Sequence, residues 1–205
     1  HAIPEKIVPL SVIDDKGNSL LELVLEQDDR YIPLPVKGRY QGFTANSSMV
    51  IDPGPSAKNK NLTLYLNGRI FPTDSRINLA LSQGDNEKAL PPSLQVRNQK
   101  GEWETVIDNI GFPQGKNKTV IVALDGLFKS DDYRIRIISN MEIHWDQVFF
   151  ACPSGDIPVR LTRMDPGSAD HHFRGFSRMY RKDNGNGPHW FDYKSQSTAP
   201  RWRDL

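Results

Sequence analysis

The stretch YRIRIISNMEIHWDQVFFA, residues 133–151, contains two successive segments with a repeating pattern of side chains. In the first segment, Ile135 and Ile137 alternate with arginines. In the second, Ile143, Trp145 and two further residues fall on one side, with polar and apolar residues on the other. Successive side chains of a β-strand point to opposite faces of its sheet, which gives a period of two residues. The stretch therefore predicts two central strands.

Similar segments lie on the N-terminal side of this stretch and just after it. Leucines alternate with threonine and tyrosine in NLTLYLNG (61–68), and SLQVRN and EWETVI flank the turn at residues 99–101, which is a hairpin pattern. The dense valine and isoleucine content of KTVIVALDG (118–126) predicts a strand that is buried on both faces. A further strand is predicted for IPVRLTRM (157–164), and the polar residues 73–92 predict a loop.

The first quarter of the chain is less regular. KIVPLSVI (6–13) predicts a strand that ends in the turn DDKGN (14–18). LLELVL (20–25) fits either a strand or a helix, and VKGRYQGF (36–43) predicts an edge or half-buried strand. The proline- and glycine-rich residues 52–61 predict a surface loop.

Many short strands between turn signals are typical of an all-β sandwich or barrel. A length of 205 residues is compatible with a single large β domain. We therefore expect an all-β, antiparallel β-sandwich over residues 1–165. From Pro166 onward the sequence becomes polar, aromatic and irregular. We expect residues 166–205 to form an irregular, aromatic-rich C-terminal tail packed on the sandwich.

Composition excludes several classes of protein. Lysine and arginine number 26 against 25 acidic residues, so the net charge of +1 creates no field that would attract nucleic acid. No segment approaches the roughly 20 apolar residues that a membrane-spanning helix needs. The single cysteine, Cys152, excludes an internal disulfide and a zinc site built from several thiolates, and we interpret it as a small buried apolar residue.

Catalytic motifs are missing from the sequence. No G-x-S-x-G element predicts a serine hydrolase, and the glycines of KDNGNG (182–187) are interpreted as turn residues because no lysine-serine pair or helix follows them. Acidic residues near the ends of predicted strands are interpreted as solvated or capping groups. The sequence therefore predicts a protein that is not an enzyme.

Two metal sites are nevertheless hypotheses. Asp14, Asp15 and Asn18 offer the oxygen ligands that calcium prefers, although the same residues also fit a simple turn, and residues 183–186 form a second candidate of this kind. A terminal amine and two imidazoles would suit copper, which makes His1 a candidate ligand. Copper-dependent polysaccharide oxygenases are similar in size and build, but AIPEKIV after His1 has no motif that places a second ligand. No cofactor other than calcium is expected.

Aromatic residues are the remaining candidates for function. Trp103 and Trp145 lie in predicted strands and are expected in the core. Trp190, Tyr193 and Trp202 lie in the predicted tail, where they would either stack on sugar rings or fill a partner's groove, or instead hold the tail onto the sandwich. The sequence favours neither interpretation.

Residues 60–205 resemble a region near the C-terminus of bacterial proteins that carry FG-GAP and ASPIC/UnbV repeats or TPR repeats. The shared features are the paired prolines Pro91 and Pro92, the hairpin with Trp103, the turn at residues 111–115, and the run that ends in Trp-Asp at residues 145–146. LTRMDPGSADHHFRGFS at residues 161–177 is similar to that family's continuation.

The resemblance implies a jelly-roll-like sandwich, similar to galactose-binding domains, attached to a repeat scaffold that is often exported. It carries over no catalytic residue, and it implies that the chain is a fragment or a shortened relative. We expect a non-catalytic binding or structural module that mediates protein contact or assembly, outside the cytoplasm (periplasmic, at the cell surface or secreted). The expected partners are other subunits or the parent scaffold. The alternatives are a carbohydrate-binding module and a copper oxidase that uses His1.

Overall fold

The computed structural model describes residues 6–55, 58, 62–84, 88–152, 162–181 and 189–199. Within these residues the chain forms short strands joined by turns, with one 3-10 turn and one short α-helix. In chain order these elements are β1 (Lys6–Ile7), β2 (Ser11–Asp14), the 3-10 turn Leu21–Leu23, β3 (Phe43–Asp52), β4 (Thr63–Ile70), α1 (Ser75–Gln83), β5 (Ser93–Arg97), β6 (Trp103–Ile107), β7 (Lys118–Ala123), β8 (Ile135–Met141), β9 (Ile143–Ala151), β10 (Phe176–Arg181) and β11 (His189–Ser197).

The strands β1 to β9 form two antiparallel sheets. The four-stranded sheet has the order β1-β9-β4-β7 and is called sheet A below, and the five-stranded sheet B has the order β2-β3-β8-β5-β6. The predicted all-β antiparallel sandwich is confirmed. None of the described helices has the length and apolar character needed to cross a membrane.

One hydrophobic core lies between the two sheets. Sheet A contributes Leu64, Leu66 and Phe150, and sheet B contributes Ile135 and Ile137, all of them buried in the same cluster. In β8 every second residue faces this core, as the period-two pattern predicts. In β9 the core-facing residues are Ile143, Trp145, Val148 and Phe150, because an extra residue at position 146 shifts the alternation, so the expected placement of Gln147 and Phe149 beside Ile143 and Trp145 was wrong. The central strands β8 and β9 and the hairpin of β5 and β6 are confirmed.

The strand at residues 118–126 is not buried on both faces, so that prediction was wrong. β7 is an edge strand of sheet A, where Val120 and Val122 face the core while Ile121 is 45% exposed. Ile121 lies opposite Tyr65 on the outer face of the sheet. The apolar density of this segment thus comes from a cross-strand contact and not from burial on both faces.

Three other predictions differ from the structure. The single strand predicted at residues 6–13 is divided into β1 in sheet A and β2 in sheet B. Residues 36–42 form a turn and not an edge strand, because the Gly38 amide donates to the Phe43 carbonyl and Gly42 has a φ of +83°. The sequence did not predict the long strand β3. The predicted loop at 73–92 contains α1, whose N-cap Asp74 accepts hydrogen bonds from two backbone amides of the first turn.

Trp145 is buried in the core as expected, whereas Trp103 is half-buried on sheet B. The Trp103 ring lies beside two guanidinium groups, with its centroid 4.1 Å from Cζ of Arg97 and 4.8 Å from Cζ of Arg136. Burial is the main cause that lowers the pKa of Arg136, and the nearby charge of Arg97 adds to it. Trp103 is therefore a cation–π partner on the outer face of the sheet.

A β-bulge interrupts the pairing of β4 with β9. Asn67 pairs with Gln147 and Gly68 pairs with Trp145, so Asp146 is the extra residue. Asp146 is fully buried, and its Oδ1 accepts a hydrogen bond from the backbone amide of Asp28 at 3.3 Å. Burial raises the pKa of this carboxyl group.

The outer edge of β9 continues past the two residues of β1 along a loop that follows β2. The Val148 amide donates to the Val24 carbonyl, and the Ile32 amide donates to the Trp145 carbonyl. These contacts satisfy backbone groups that would otherwise form an open edge. The loop thereby completes sheet A where β1 is too short to do so.

An irregular tail was expected for the C-terminal part of the chain, but this part contains regular structure. β10 and β11 pair as an antiparallel hairpin. The hairpin depends on pairing between residues 8 to 21 positions apart, from Arg181 with His189 to Phe176 with Ser197, which the pattern of either segment alone does not reveal. The predicted strand at 157–164 has residues 157–161 outside the described part, and 162–164 are not in a strand. The packing of the tail on the sandwich stays a prediction.

Candidate functional site

Exposed aromatic side chains occur as two pairs on and just before the C-terminal hairpin. Phe173, Phe176, Phe191 and Tyr193 are 73%, 52%, 45% and 64% exposed, and they are called the aromatic surface below. The rings of Phe173 and Phe176 meet edge to face with centroids 6.1 Å apart, and those of Phe191 and Tyr193 form a second pair 6.3 Å apart. Phe191 lies opposite Met179, three residues after Phe176, so the two pairs project from different faces of the hairpin. Side chains of this size are seldom exposed together unless they contact a partner.

A bulge in β11 determines where Tyr193 lies. Ser177 pairs with Gln196 and Arg178 pairs with Asp192, so residues 193–195 have no counterpart in β10. A bulge bends its strand and redirects the side chains that it contains. Here it carries Tyr193 out of the regular ladder.

Arg174 and Gln196 hold the bulge in place. Nη2 of Arg174 donates to the Tyr193 carbonyl at 2.8 Å, and Nε2 of Gln196 donates to the same oxygen at 2.6 Å. The guanidinium carbon of Arg174 also lies 5.3 Å from the centroid of the Tyr193 ring. The tyrosine backbone is therefore fixed while its ring stays exposed, which limits the entropy that a partner would have to remove.

Gly175 fixes the base of the hairpin. Its φ is +93°, and a Cβ atom at this position would lie 2.6 Å from the Ser197 carbonyl oxygen. Glycine alone tolerates both the left-handed conformation and the close approach of the opposite strand. The Arg-Gly-Phe sequence at residues 174–176 therefore has a structural role.

Most of the charge around the aromatic surface is positive. Arg174, Arg178 and Lys194 are exposed, and Asp192 is the nearest acidic residue on β11. Tyrosine, phenylalanine and arginine are the residue types enriched in the centres of protein interfaces. The composition of this surface matches such a centre.

Two of the predicted contact residues lie on this hairpin. Tyr193 is at the aromatic surface, and Trp190 lies in β11 opposite Tyr180. Trp202 lies outside the described residues. The sequence analysis did not select Phe173 and Phe176, although two phenylalanines on either side of Arg174 and Gly175 could have indicated a pair of aromatic contact residues.

The predicted calcium residues form a hydrogen-bonded turn. Oδ1 of Asp14 accepts from the amides of Lys16 and Asn18, and its Oδ2 accepts from Nδ2 of Asn18 at 2.8 Å. The Asn18 side chain is the main cause that lowers the pKa of Asp14. Asp15 is exposed. In the described part of the chain, no three His, Cys, Asp or Glu residues are grouped as metal ligands, and calcium binding stays a prediction.

The histidines are dispersed among different environments. His144 is buried, with its Nε2 3.7 Å from Oε1 of Glu142 and its ring in edge contact with Tyr31. His171 and His172 are exposed. His1 and the second calcium candidate at residues 183–186 lie outside the described residues, so the copper hypothesis also stays a prediction.

Comparison of the chain with known protein families, with curated proteins and with solved structures finds no match.

Proposed function

We propose that this chain is a non-catalytic assembly module whose aromatic surface contacts the same surface of a second copy. The observation that supports this most is the exposure of four aromatic side chains, from 45% to 73%, on and beside a hairpin. A two-stranded hairpin is marginally stable in water, and three or more strands are normally needed. Within the described residues, no third strand pairs with β10 or β11.

A second copy provides what the hairpin needs. Two hairpins that pair edge to edge form a four-stranded sheet, and the exposed aromatic side chains on its faces then lie beside their counterparts from the second copy. Such a contact is isologous, since the same patch serves on both sides, and it closes as a dimer. The resemblance to repeat-containing bacterial proteins supports a place for this jelly-roll-like, galactose-binding-like module in a larger exported protein.

The test is the mass of the chain in solution, measured by light scattering after size exclusion over a range of concentrations. We expect a mass near twice the 23.3 kDa of one chain. Each of the variants Phe176→Ser and Tyr193→Ser should weaken the dimer about 30-fold, and the double variant more, because each such residue typically contributes about 2 kcal/mol at an interface centre.

The matched control changes two exposed apolar residues outside the aromatic surface. Leu10 and Leu79 are 63% and 56% exposed, and Leu10→Ser with Leu79→Ser should leave the mass of the dimer unchanged. A wild-type chain that stays at 23.3 kDa at the highest concentration would refute self-assembly.

A second candidate function is carbohydrate binding through Tyr193. The ring is exposed and carries the Arg174 guanidinium against it, which is a combination that suits stacking on a sugar with a hydrogen bond to its hydroxyl groups. Glycan-array binding that Tyr193→Ala abolishes, in a chain whose mass is that of a monomer, would favour this function over assembly.

A further inference from the structure

One end of the sandwich contains a cavity between the two sheets. Its volume is about 460 Å³, which lies in the range of small-molecule sites. Met49 and Ile137 of sheet B and Ile143 and Trp145 of sheet A line its interior, and all four are nearly buried. The cavity is called the cleft below.

Two serines on the core side of sheet B leave the cleft unfilled. The pairs Ile51 with Ile135 and Met49 with Ile137 fill the core, and the next pair on the same face is Ser47 with Ser139. Apolar residues are the rule at core-facing positions, and departures from it are expected at functional sites. The Ser139 hydroxyl donates to the Leu90 carbonyl at 2.9 Å, whereas the contact from Ser47 to the Ser139 carbonyl is long, at 3.4 Å.

Two loops form the mouth of the cleft, and both are held in place. The turn at residues 14–18 is closed by the hydrogen bonds of the Asp14 carboxylate. On the other side, residues 32–36 contain Pro33 and Pro35, which restrict the backbone to an extended path. A preformed mouth lowers the entropic cost of binding.

The lining of the cleft selects the chemistry of the ligand. The interior is aliphatic and aromatic apart from the hydroxyls of Ser47 and Ser139, whereas the rim carries the side-chain amides of Asn18 and Asn46. Asp14 already accepts hydrogen bonds on both oxygens, and Asp15 and Lys16 at the rim have opposite charges. An anionic head would therefore meet two carboxylates and one lysine at the rim, and any charged group inside the cleft would lose its hydration without an opposite charge.

We propose that the cleft binds an uncharged amphipathic molecule, with an alkyl or aryl group inside and a hydroxylated head at the rim. Each additional buried methylene group strengthens binding about fourfold. The probes that test this are 1,2-hexanediol and 1,2-octanediol, with glycerol as the head group alone and octanoate as the charged analogue. Calorimetry and tryptophan fluorescence, to which Trp145 in the cleft contributes, measure the binding.

We expect 1,2-octanediol to bind about 15-fold more tightly than 1,2-hexanediol, because it adds two methylene groups. Octanoate should bind more weakly than the diol of the same length, and glycerol should not bind. Equal binding of the two diols, or no binding of 1,2-octanediol, would overturn the proposal.

A matched pair of variants locates the site. Ser47→Leu fills the cleft and should weaken binding of 1,2-octanediol at least tenfold. Ser11→Leu adds the same volume to sheet B outside the cleft and should leave binding unchanged. If Ser47→Leu does not fold, Ala45→Trp at the exposed rim provides the same test. Undiminished binding in the folded variant would place the diol elsewhere and refute the assignment.

Discussion

Gly68→Ala tests the close approach of β4 and β9 at the bulge. A Cβ atom at residue 68 would lie 2.5 Å from the His144 carbonyl oxygen and 2.9 Å from Cε3 of Trp145. It would also lie 3.1 Å from Cα of Trp145. Two of these three atoms belong to the backbone of a central strand, which has no flexible end to move aside.

Two opposing contributions determine how much Gly68→Ala changes the free energy of unfolding. Overpacking by one methyl group in a rigid core costs about 1–3 kcal/mol, and contact with two backbone atoms of β9 places Gly68→Ala at the upper end. Replacing glycine by alanine in a strand regains about 0.5–1 kcal/mol of backbone entropy. The net loss in the free energy of unfolding is about 2 kcal/mol, which lowers the Tm by about 4–8 °C for a chain of this size.

Urea denaturation followed by tryptophan fluorescence measures this loss, with circular dichroism as a second probe of the same transition. The control is Gly167→Ala, since a Cβ atom there would contact nothing within 4 Å. The control should match the wild type or exceed it slightly. A Gly68→Ala protein within about 0.5 kcal/mol of the wild type would refute the steric reasoning, since the two strands would then be able to separate freely.

Three further predictions concern burial, charge and capping. Phe150→Ala should lower the free energy of unfolding, measured by urea denaturation, by about 3–5 kcal/mol because the ring is fully buried. Phe173→Ala should lower it little, since that ring is 73% exposed. Equal losses in the two variants would contradict the assigned core. Burial raises the pKa of Asp146, so the stability that its protonated form provides is present below the ordinary value of 3.8 and is lost as pH rises through the folded-state pKa. The free energy of unfolding of Asp146→Asn should therefore exceed that of the wild type by a margin that grows from acidic to neutral pH. A difference between the two proteins that shrinks over that range would contradict the raised pKa. Asp74→Ala should speed amide hydrogen exchange in α1, because it removes about 1 kcal/mol of N-cap stabilisation. Asp74→Asn keeps an acceptor at the N-cap and should preserve the slow exchange. Identical exchange rates in the two variants would argue against the cap.

The sequence predicted those strands whose residues face the core on one side along their full length. In β8, Ile135 and Ile137 supply this alternation locally, so the segment is recognisable alone. β3 was missed because its first half lines the cleft, where Ser47 replaces an apolar residue at a core-facing position. α1 was missed because its residues are not buried, so no apolar stripe distinguishes it from a polar loop.

The candidate site was predictable in part. Tyr193 stood out as an aromatic residue outside any predicted strand, and it is exposed. The bulge that presents it depends on pairing with β10, and the contact from Arg174 crosses 19 residues of chain. Local patterns do not encode such long-range contacts. The cleft was also not predicted, because it arises where two sheets and two loops meet.

The completion of sheet A by the N-terminal part of the chain has a consequence for synthesis on the ribosome. β1 pairs with β9 through Lys6 and Ala151, and Ile32 donates to the Trp145 carbonyl, so these contacts join residues more than 110 positions apart. β1 and the loop residues Val24 and Ile32 emerge before β9 and lack these backbone partners until β9 has left the exit tunnel, whereas β2 can pair earlier with β3. Contacts of such long range slow folding and leave apolar segments exposed in the interval. We expect nascent chains that stop before residue 143 to remain sensitive to protease and to bind chaperones, and resistance to begin once Ala151 is free.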